Sequence, residues 1–179
     1  GAASVGQGVE TTVAQIAADV LGIDYRSIRV SHGQTDELPF GLGAFASRVT
    51  VMTGSAAYLA ATALRDKAIR VAADMLEAAP EDLELIDGRV TVRGTPARSL
   101  GLADIAADLD PSGARRHGTT PSLAAESWFH SEHMTYPYGL HLAVVRLDEE
   151  TGQVTFERYV IAYDVGRAVN PMLVEGQIL

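Results

Sequence analysis

Residues 1–21 read Gly1-Ala2-Ala3-Ser4-Val5-Gly6-Gln7-Gly8-Val9-Glu10-Thr11-Thr12-Val13-Ala14-Gln15-Ile16-Ala17-Ala18-Asp19-Val20-Leu21. Glycines at 6 and 8 permit a tight turn and a close backbone approach that a Cβ would forbid. Val13, Ile16, Ala17, Val20 and Leu21 then recur at helical spacing, with Thr11 or Thr12 as the expected cap and Gly22 as the stop. A glycine-rich turn that opens a helix presents unpaired N–H groups and the positive end of the helix dipole, a setting that suits an anion.

The same arrangement occurs again downstream. Ile28–His32 alternates apolar and polar residues, which predicts a half-buried strand. Residues 33–47 follow as an aperiodic loop with three glycines and a proline, and Ser47 caps a long alanine-rich helix expected over about Ser47–Ala79. Two loops that each deliver the chain to a helix start could surround one polyanionic ligand.

Pro80 punctuates the next segment. Leu83–Ile86 and Arg89–Val92 flank Asp87-Gly88, a two-residue hairpin signal. Ser99 or Leu100 opens a short helix near Leu102–Leu109, residues 110–120 read as a loop, and Ser122–Phe129 reads as a strand. His130, Glu132 and His133 invite a metal reading, but their spacing fits neither a helical pair nor a zinc-protease motif, so a solvated or partner-facing loop is expected. Leu140–Leu147 and Val154–Asp164 predict an antiparallel hairpin with one buried face, and Asn170-Pro171 opens a last helix. The expected class is α+β, with mixed or antiparallel sheets and packed helices.

The 179 residues, 47% of them hydrophobic, suffice for a sizeable core. A net charge of −9 argues against non-specific nucleic-acid binding and against an anionic membrane surface, without excluding a local anion pocket. The absence of cysteine removes disulfides, thiolate metal sites and a thiol nucleophile. No run approaches the roughly 18 apolar residues of a membrane span, and no signal peptide is visible, so a cytoplasmic location is expected. Both ends read as cut, so residues 1–179 are expected to be part of a longer chain. No Gly-x-Ser-x-Gly elbow surrounds Ser47, no Walker lysine follows a glycine loop, and Gly6-Gln7-Gly8 lacks the full dinucleotide fingerprint. Gln7 can both donate and accept, Ser47 offers a hydroxyl, and Arg48 is free for a phosphate or a structural ion pair. The residues describe a ligand cradle better than a catalytic centre.

Taken together, Gly6-Gln7-Gly8-Val9-Glu10-Thr11, Thr35-Asp36, Pro39, Gly41-Leu42-Gly43, Ser47-Arg48, Tyr136-Pro137-Tyr138-Gly139, Asp164-Val165-Gly166-Arg167, Asn170-Pro171-Met172 and Glu175-Gly176-Gln177 resemble, in order and spacing, motifs of the large subunit of molybdenum hydroxylases. That family includes carbon monoxide dehydrogenase, aldehyde oxidoreductase and xanthine dehydrogenase. The resemblance implies part of a molybdopterin-binding region, with molybdenum held by a pterin that is often extended by cytosine dinucleotide in bacteria. By position, Gln7 would lie near the metal or its ligands, Gly8 and Val9 would offer backbone to the pterin and its phosphate, Ala46, Ser47 and Arg48 would hold the phosphate, and Gln177 would approach the pterin. No residue here would bind the metal directly.

The implied chemistry is hydroxylation of an aldehyde or N-heterocycle, or oxidation of carbon monoxide, with water as the oxygen source and a small molecule as substrate. Electrons would leave through 2Fe-2S clusters and FAD on partner subunits or domains. The family's glutamate base lies in a Gly-x-Gly-Glu motif beyond residue 179, and neither Glu10 nor Glu175 lies in that motif. No catalytic residue is therefore expected here, and the chain alone is expected to be inactive. Val9 stands where many members have His, Phe45-Ala46 where Tyr-Gly is common, and Val49 where a second Ser is frequent. These departures motivate the alternative of a non-catalytic binding or assembly domain that has lost the cofactor.

Overall fold

The computed structural model describes residues 1–179 as α1 (Val9–Leu21), α2 (Ser55–Leu76), β1 (Leu83–Ile86), β2 (Arg89–Val92), β3 (Thr95–Gly101), α3 (Leu102–Asp108), α4 (Pro111–Arg116), β4 (Tyr138–Leu147), β5 (Val154–Asp164) and α5 (Pro171–Ile178). It is an α+β arrangement of a three-stranded sheet in the order β1-β2-β3, a separate β4-β5 ribbon, and packed helices. No helix is long and apolar enough to cross a membrane.

The first helix begins earlier than its periodicity suggests. Gly8, at φ +76°, takes the cap position, no side chain caps the helix, and Thr12 donates its N–H to the Gly8 carbonyl at 3.1 Å. Thr11 and Thr12 therefore lie inside α1 rather than at its cap. Gly22 ends the helix at φ +59°, where the left-handed conformation suits glycine.

The long helix is present with different ends. Ala46 and Ser47 both adopt left-handed backbone, φ +51° and +52°, so Ser47 cannot serve as an ordinary cap. A widened turn over Thr50–Gly54 leads into α2, and Glu77 closes it in the left-handed region at φ +49°. The widened turn sits where α1 crosses: a Cβ on Gly54 would stand 2.8 Å from Ile16 Cδ1.

Ala68, Val71, Ala72 and Ala73 of α2 form the main core with Leu83, Val90, Ile105, Leu109 and Ala114. Small alanines let the helix lie close to the sheet, while Ile105 and Val90 fill the space between the layers. The Asp87-Gly88 hairpin forms in register, Leu83 opposite Val92 and Ile86 opposite Arg89. β3 was not expected. It pairs with β2 through an irregularity at Thr91/Val92, and Ser99 serves there as an acceptor for Arg89 Nε at 3.0 Å rather than as a helix cap. Gly101 takes the cap position of α3, its N–H donating to Asp104 Oδ2 at 3.0 Å.

Four further expectations are corrected. Residues 110–120 contain α4, started by Asp110, whose carboxylate accepts from Gly113 N–H at 2.7 Å, with Pro111 in the first turn. Ile28–His32 keeps its alternation in burial but has no strand partner, and Ser122–Phe129 is likewise unpaired. The β4-β5 ribbon forms, but neither face is buried: Leu140 is 68% and Phe156 66% exposed. Asn170 caps α5 as expected, its side chain accepting from Leu173 N–H at 3.1 Å.

Candidate functional site

Five separated stretches meet around one open cavity of about 830 Å³: the Val5–Gln7 turn, residues 44–51, residues 135–138, residues 163–170, and α5 through Leu173, Val174 and Gln177. Local contacts bring them together. Asn170 Nδ2 donates to Gln15 Oε1 at 3.0 Å, tying the start of α5 to α1. Gly8 packs against α5 so closely that a Cβ would stand 2.9 Å from Leu173 Cδ1. Thr135 Oγ1 donates to the Ser47 carbonyl at 3.0 Å and lies 3.4 Å from the Ala46 carbonyl, joining residues far apart in sequence.

Of the seven residues singled out from sequence, Gln7, Ala46, Ser47, Arg48 and Gln177 line this cavity. Gly8 and Val9 do not: Val9 is 4% exposed within the first turn of α1, and Gly8 faces Leu173. The Gln7 amide is engaged by its own turn. Its Oε1 accepts from Val5 N–H at 2.6 Å and its Nε2 donates to the Ala3 carbonyl at 3.2 Å.

The wall formed by residues 46–49 is rich in free donors. The N–H groups of Ala46, Ser47 and Val49 have no acceptor within the protein, and Ala46 and Ser47 are exposed. Arg48 lies beside these donors on the same wall. Its guanidinium lies 5.2 Å from the Phe45 ring centroid, Nη1 reaches the Gly43 carbonyl at 3.4 Å, and it joins none of the ion pairs. The charged lining is Arg48, Arg167 and Asp164, so the cavity is locally cationic in a chain of net charge −9. Asp164 is itself occupied in a turn, Oδ1 accepting from Gly166 N–H at 2.8 Å. This donor set fits a phosphate-bearing polyanion.

Glu10 is not among the cavity-lining residues, and its carboxylate is engaged elsewhere. His32 Nε2 lies 2.7 Å from its Oε1, a hydrogen bond that holds the carboxyl below its ordinary value, and Ser4 Oγ donates to the other oxygen. Sequence reasoning missed Thr135, which precedes a recognisable turn motif but has no signature of its own. Arg167 was visible as part of a motif, without a role.

A family model described as "Molybdopterin cofactor-binding domain" matches residues 1–179. The chain is 43% identical to the "6-hydroxypseudooxynicotine dehydrogenase complex subunit gamma" of Paenarthrobacter nicotinovorans, over 100% of this chain and 22% of that protein. It is 39% identical to the "Carbon monoxide dehydrogenase large chain" of Hydrogenophaga pseudoflava, over 99% of this chain and 22% of that one. Among solved structures, reconstituted CO dehydrogenase from Oligotropha carboxidovorans superposes with a TM-score of 0.86 at 37% identity, over 99% of this chain and 22% of that chain. The chain thus spans about a fifth of the length of the relatives it matches.

Proposed function

The chain belongs to the molybdopterin cofactor-binding domain family of the molybdenum hydroxylases, and from that premise we propose that its cavity holds the phosphate and pterin of the cofactor within a larger oxidoreductase subunit. The observation that carries this reading is the wall of free N–H groups at Ala46, Ser47 and Val49 beside two arginines outside every ion pair. When bound, the molybdenum–pterin group supplies the two-electron oxidation of a substrate C–H group or of carbon monoxide, with oxygen derived from water.

The chain's own residues bind and orient. Ser47 and the 46–49 amides take the phosphate oxygens, and Arg48 and Arg167 neutralise their charge. Gln7, fixed by Ala3 and Val5, holds the glycine turn in place against the cofactor. Gln177 approaches the pterin from α5, and Gly8 and Val9 support the cradle through α1. The base that serves the reaction lies outside residues 1–179, and this stretch has no turnover by itself.

The substrate class is an aldehyde, an N-heterocycle or carbon monoxide. Electrons pass to 2Fe-2S and FAD groups on partner subunits or domains, in the cytoplasm. The remainder of the large subunit covers the β4-β5 ribbon, whose two apolar faces need a neighbour.

The test is to measure molybdenum and released cytidine nucleotide in the full-length protein purified under mild conditions. Near-stoichiometric metal with cytidine nucleotide supports the dinucleotide form, and metal without nucleotide supports the plain pterin. A folded protein from a cofactor-competent host with neither metal nor pterin would sink this reading in favour of a non-catalytic assembly domain.

A further inference from the structure

We infer that Thr135 is a positioning residue for the phosphate cradle: its hydroxyl grips the carbonyl side of the Ala46–Ser47 turn and thereby aims the amide side at the ligand. The inference rests on the reading of the cavity as the cofactor site.

Ala46 and Ser47 are consecutive non-glycine residues in the left-handed region, φ +51° and +52°. Side chains disfavour that conformation, so the turn persists only where its surroundings hold it. Within the turn, Arg48 N–H donates to the Phe45 carbonyl at 3.2 Å. The other restraint comes from outside it, the Thr135 hydroxyl at 3.0 Å from the Ser47 carbonyl and 3.4 Å from the Ala46 carbonyl.

A trans peptide is planar, and its C=O and N–H point in opposite directions. Thr135 donates to the Ser47 carbonyl, whose plane carries the Arg48 N–H that closes on the Phe45 carbonyl, so the Ser47–Arg48 peptide is fixed at both ends. With that peptide fixed, the adjoining Ala46–Ser47 peptide keeps its carbonyl on the Thr135 side, 3.4 Å from the hydroxyl, and its N–H, which has no acceptor within the protein, on the other. Thr135 also lines the cavity, two residues before Pro137 and three before β4. The segment leading into the ribbon and the turn that precedes α2 are therefore joined at the point where free donors are presented. A hydroxyl has the one donor this requires, which valine lacks and serine keeps.

The experiment compares Thr135→Val and Thr135→Ser in the full-length protein. It reads the rate at which molybdopterin is lost during repeated desalting, with the melting temperature of each variant's cofactor-free form measured alongside. One lost hydrogen bond to the cradle corresponds to release about tenfold faster in Thr135→Val. Thr135→Ser should release at the wild-type rate, with the cofactor-free melting temperatures unchanged. Wild-type retention in Thr135→Val overturns the inference. So does equally fast release from Thr135→Ser, which would assign the effect to the lost methyl group. Faster release that follows a lower melting temperature of the cofactor-free form makes Thr135 structural only and also overturns it. A wild-type protein that never carries pterin defeats the underlying cofactor reading, a separate and recognisable failure.

Discussion

Gly113 has no room for a methyl group, because a Cβ there would overlap the Asp108 carbonyl oxygen, which is backbone and cannot swing aside. Gly113→Ala should therefore force α4 away from the end of α3 and cost about 3 kcal/mol, the upper range for overpacking. Amide hydrogen exchange in the full-length protein would show faster opening across α2–α4. Lys67 makes a second residue-scale case. It is 7% exposed and faces no carboxylate, its ammonium donating to Thr120 O, Thr120 Oγ1 and Ser122 O at 3.0, 2.9 and 2.7 Å. Lys67→Met fills much of the same space but leaves these acceptors without their donor, at a cost of about 3 kcal/mol. Protection of residues 118–123 should fall first, and unchanged exchange there would refute the anchoring role. Neither residue stands out in the sequence. Gly113 lies in a stretch of turn formers, and Lys67 looks like one more exposed charge on a helix, because the partners that define both are brought in by the fold.

At the scale of elements, α2, α3 and α4 are clamped by one imidazole. His117, just after α4, places Nδ1 3.0 Å from Asp74 Oδ2 and Nε2 2.7 Å from Asp108 Oδ2, while Arg116 donates to Asp108 Oδ1 at 2.8 Å. Both ring nitrogens face acceptors, so the doubly protonated ring is favoured. The Asp108 hydrogen bond, then that of Asp74, raises the His117 pKa above its ordinary 6.5. The Asp108 carboxyl is held below its ordinary 3.8, chiefly by His117. A raised imidazole contributes stability that is full below 6.5 and is lost as pH climbs through the folded value. A lowered carboxyl contributes above 3.8 and is lost as pH falls through its folded value. The α2–α4 lobe should thus be firmest between those limits, and His117→Gln should abolish the loss on the alkaline side. Hydrogen exchange at several pH values, corrected for intrinsic rates, checks it, and an alkaline loss that survives in the variant would count against the clamp. The elements themselves were unequally legible. Asp87-Gly88 and Asn170-Pro171 announce their hairpin and helix because turn and cap chemistry is local. β3 was hidden, since Thr95-Pro96-Ala97-Arg98-Ser99-Leu100-Gly101 has no clean alternation and becomes a strand by pairing with β2. The alternation of Ile28–His32 is real in its burial, yet a strand also requires a partner.

At the scale of the whole molecule, the two loops that face the cavity stood out in the sequence, but Ser47 lies in a turn ahead of α2 rather than at its start, and the closure of the cavity was not legible. The 46–48 motif announces donors and Gln7 lines the cavity from the other loop, whereas Thr135 and the ribbon that carries it reach them only through tertiary structure. The ribbon also explains a failed expectation. Leu140-His141-Leu142-Ala143-Val144-Val145 is nearly continuous in its hydrophobicity, the pattern of a strand covered on both faces rather than one. Leu140 and Leu142 pair with Ala162 and Val160 on one face, while Val145 pairs with Phe156 on the other, beside Tyr159. Isolated two-stranded ribbons are marginal in water, and covering a large apolar side chain contributes about 1.5–3 kcal/mol. Cover by the rest of a larger subunit therefore predicts that β4 and β5 amides are strongly protected in the full-length protein and exchange rapidly in residues 1–179 expressed alone. Leu142→Ser and Phe156→Ser test the faces separately: each should lower protection in the full-length protein, because each removes burial from a different side. If only one substitution has an effect, one face is open to solvent in the intact protein. If β4 and β5 exchange equally fast in both forms, the ribbon is not a docking element at all.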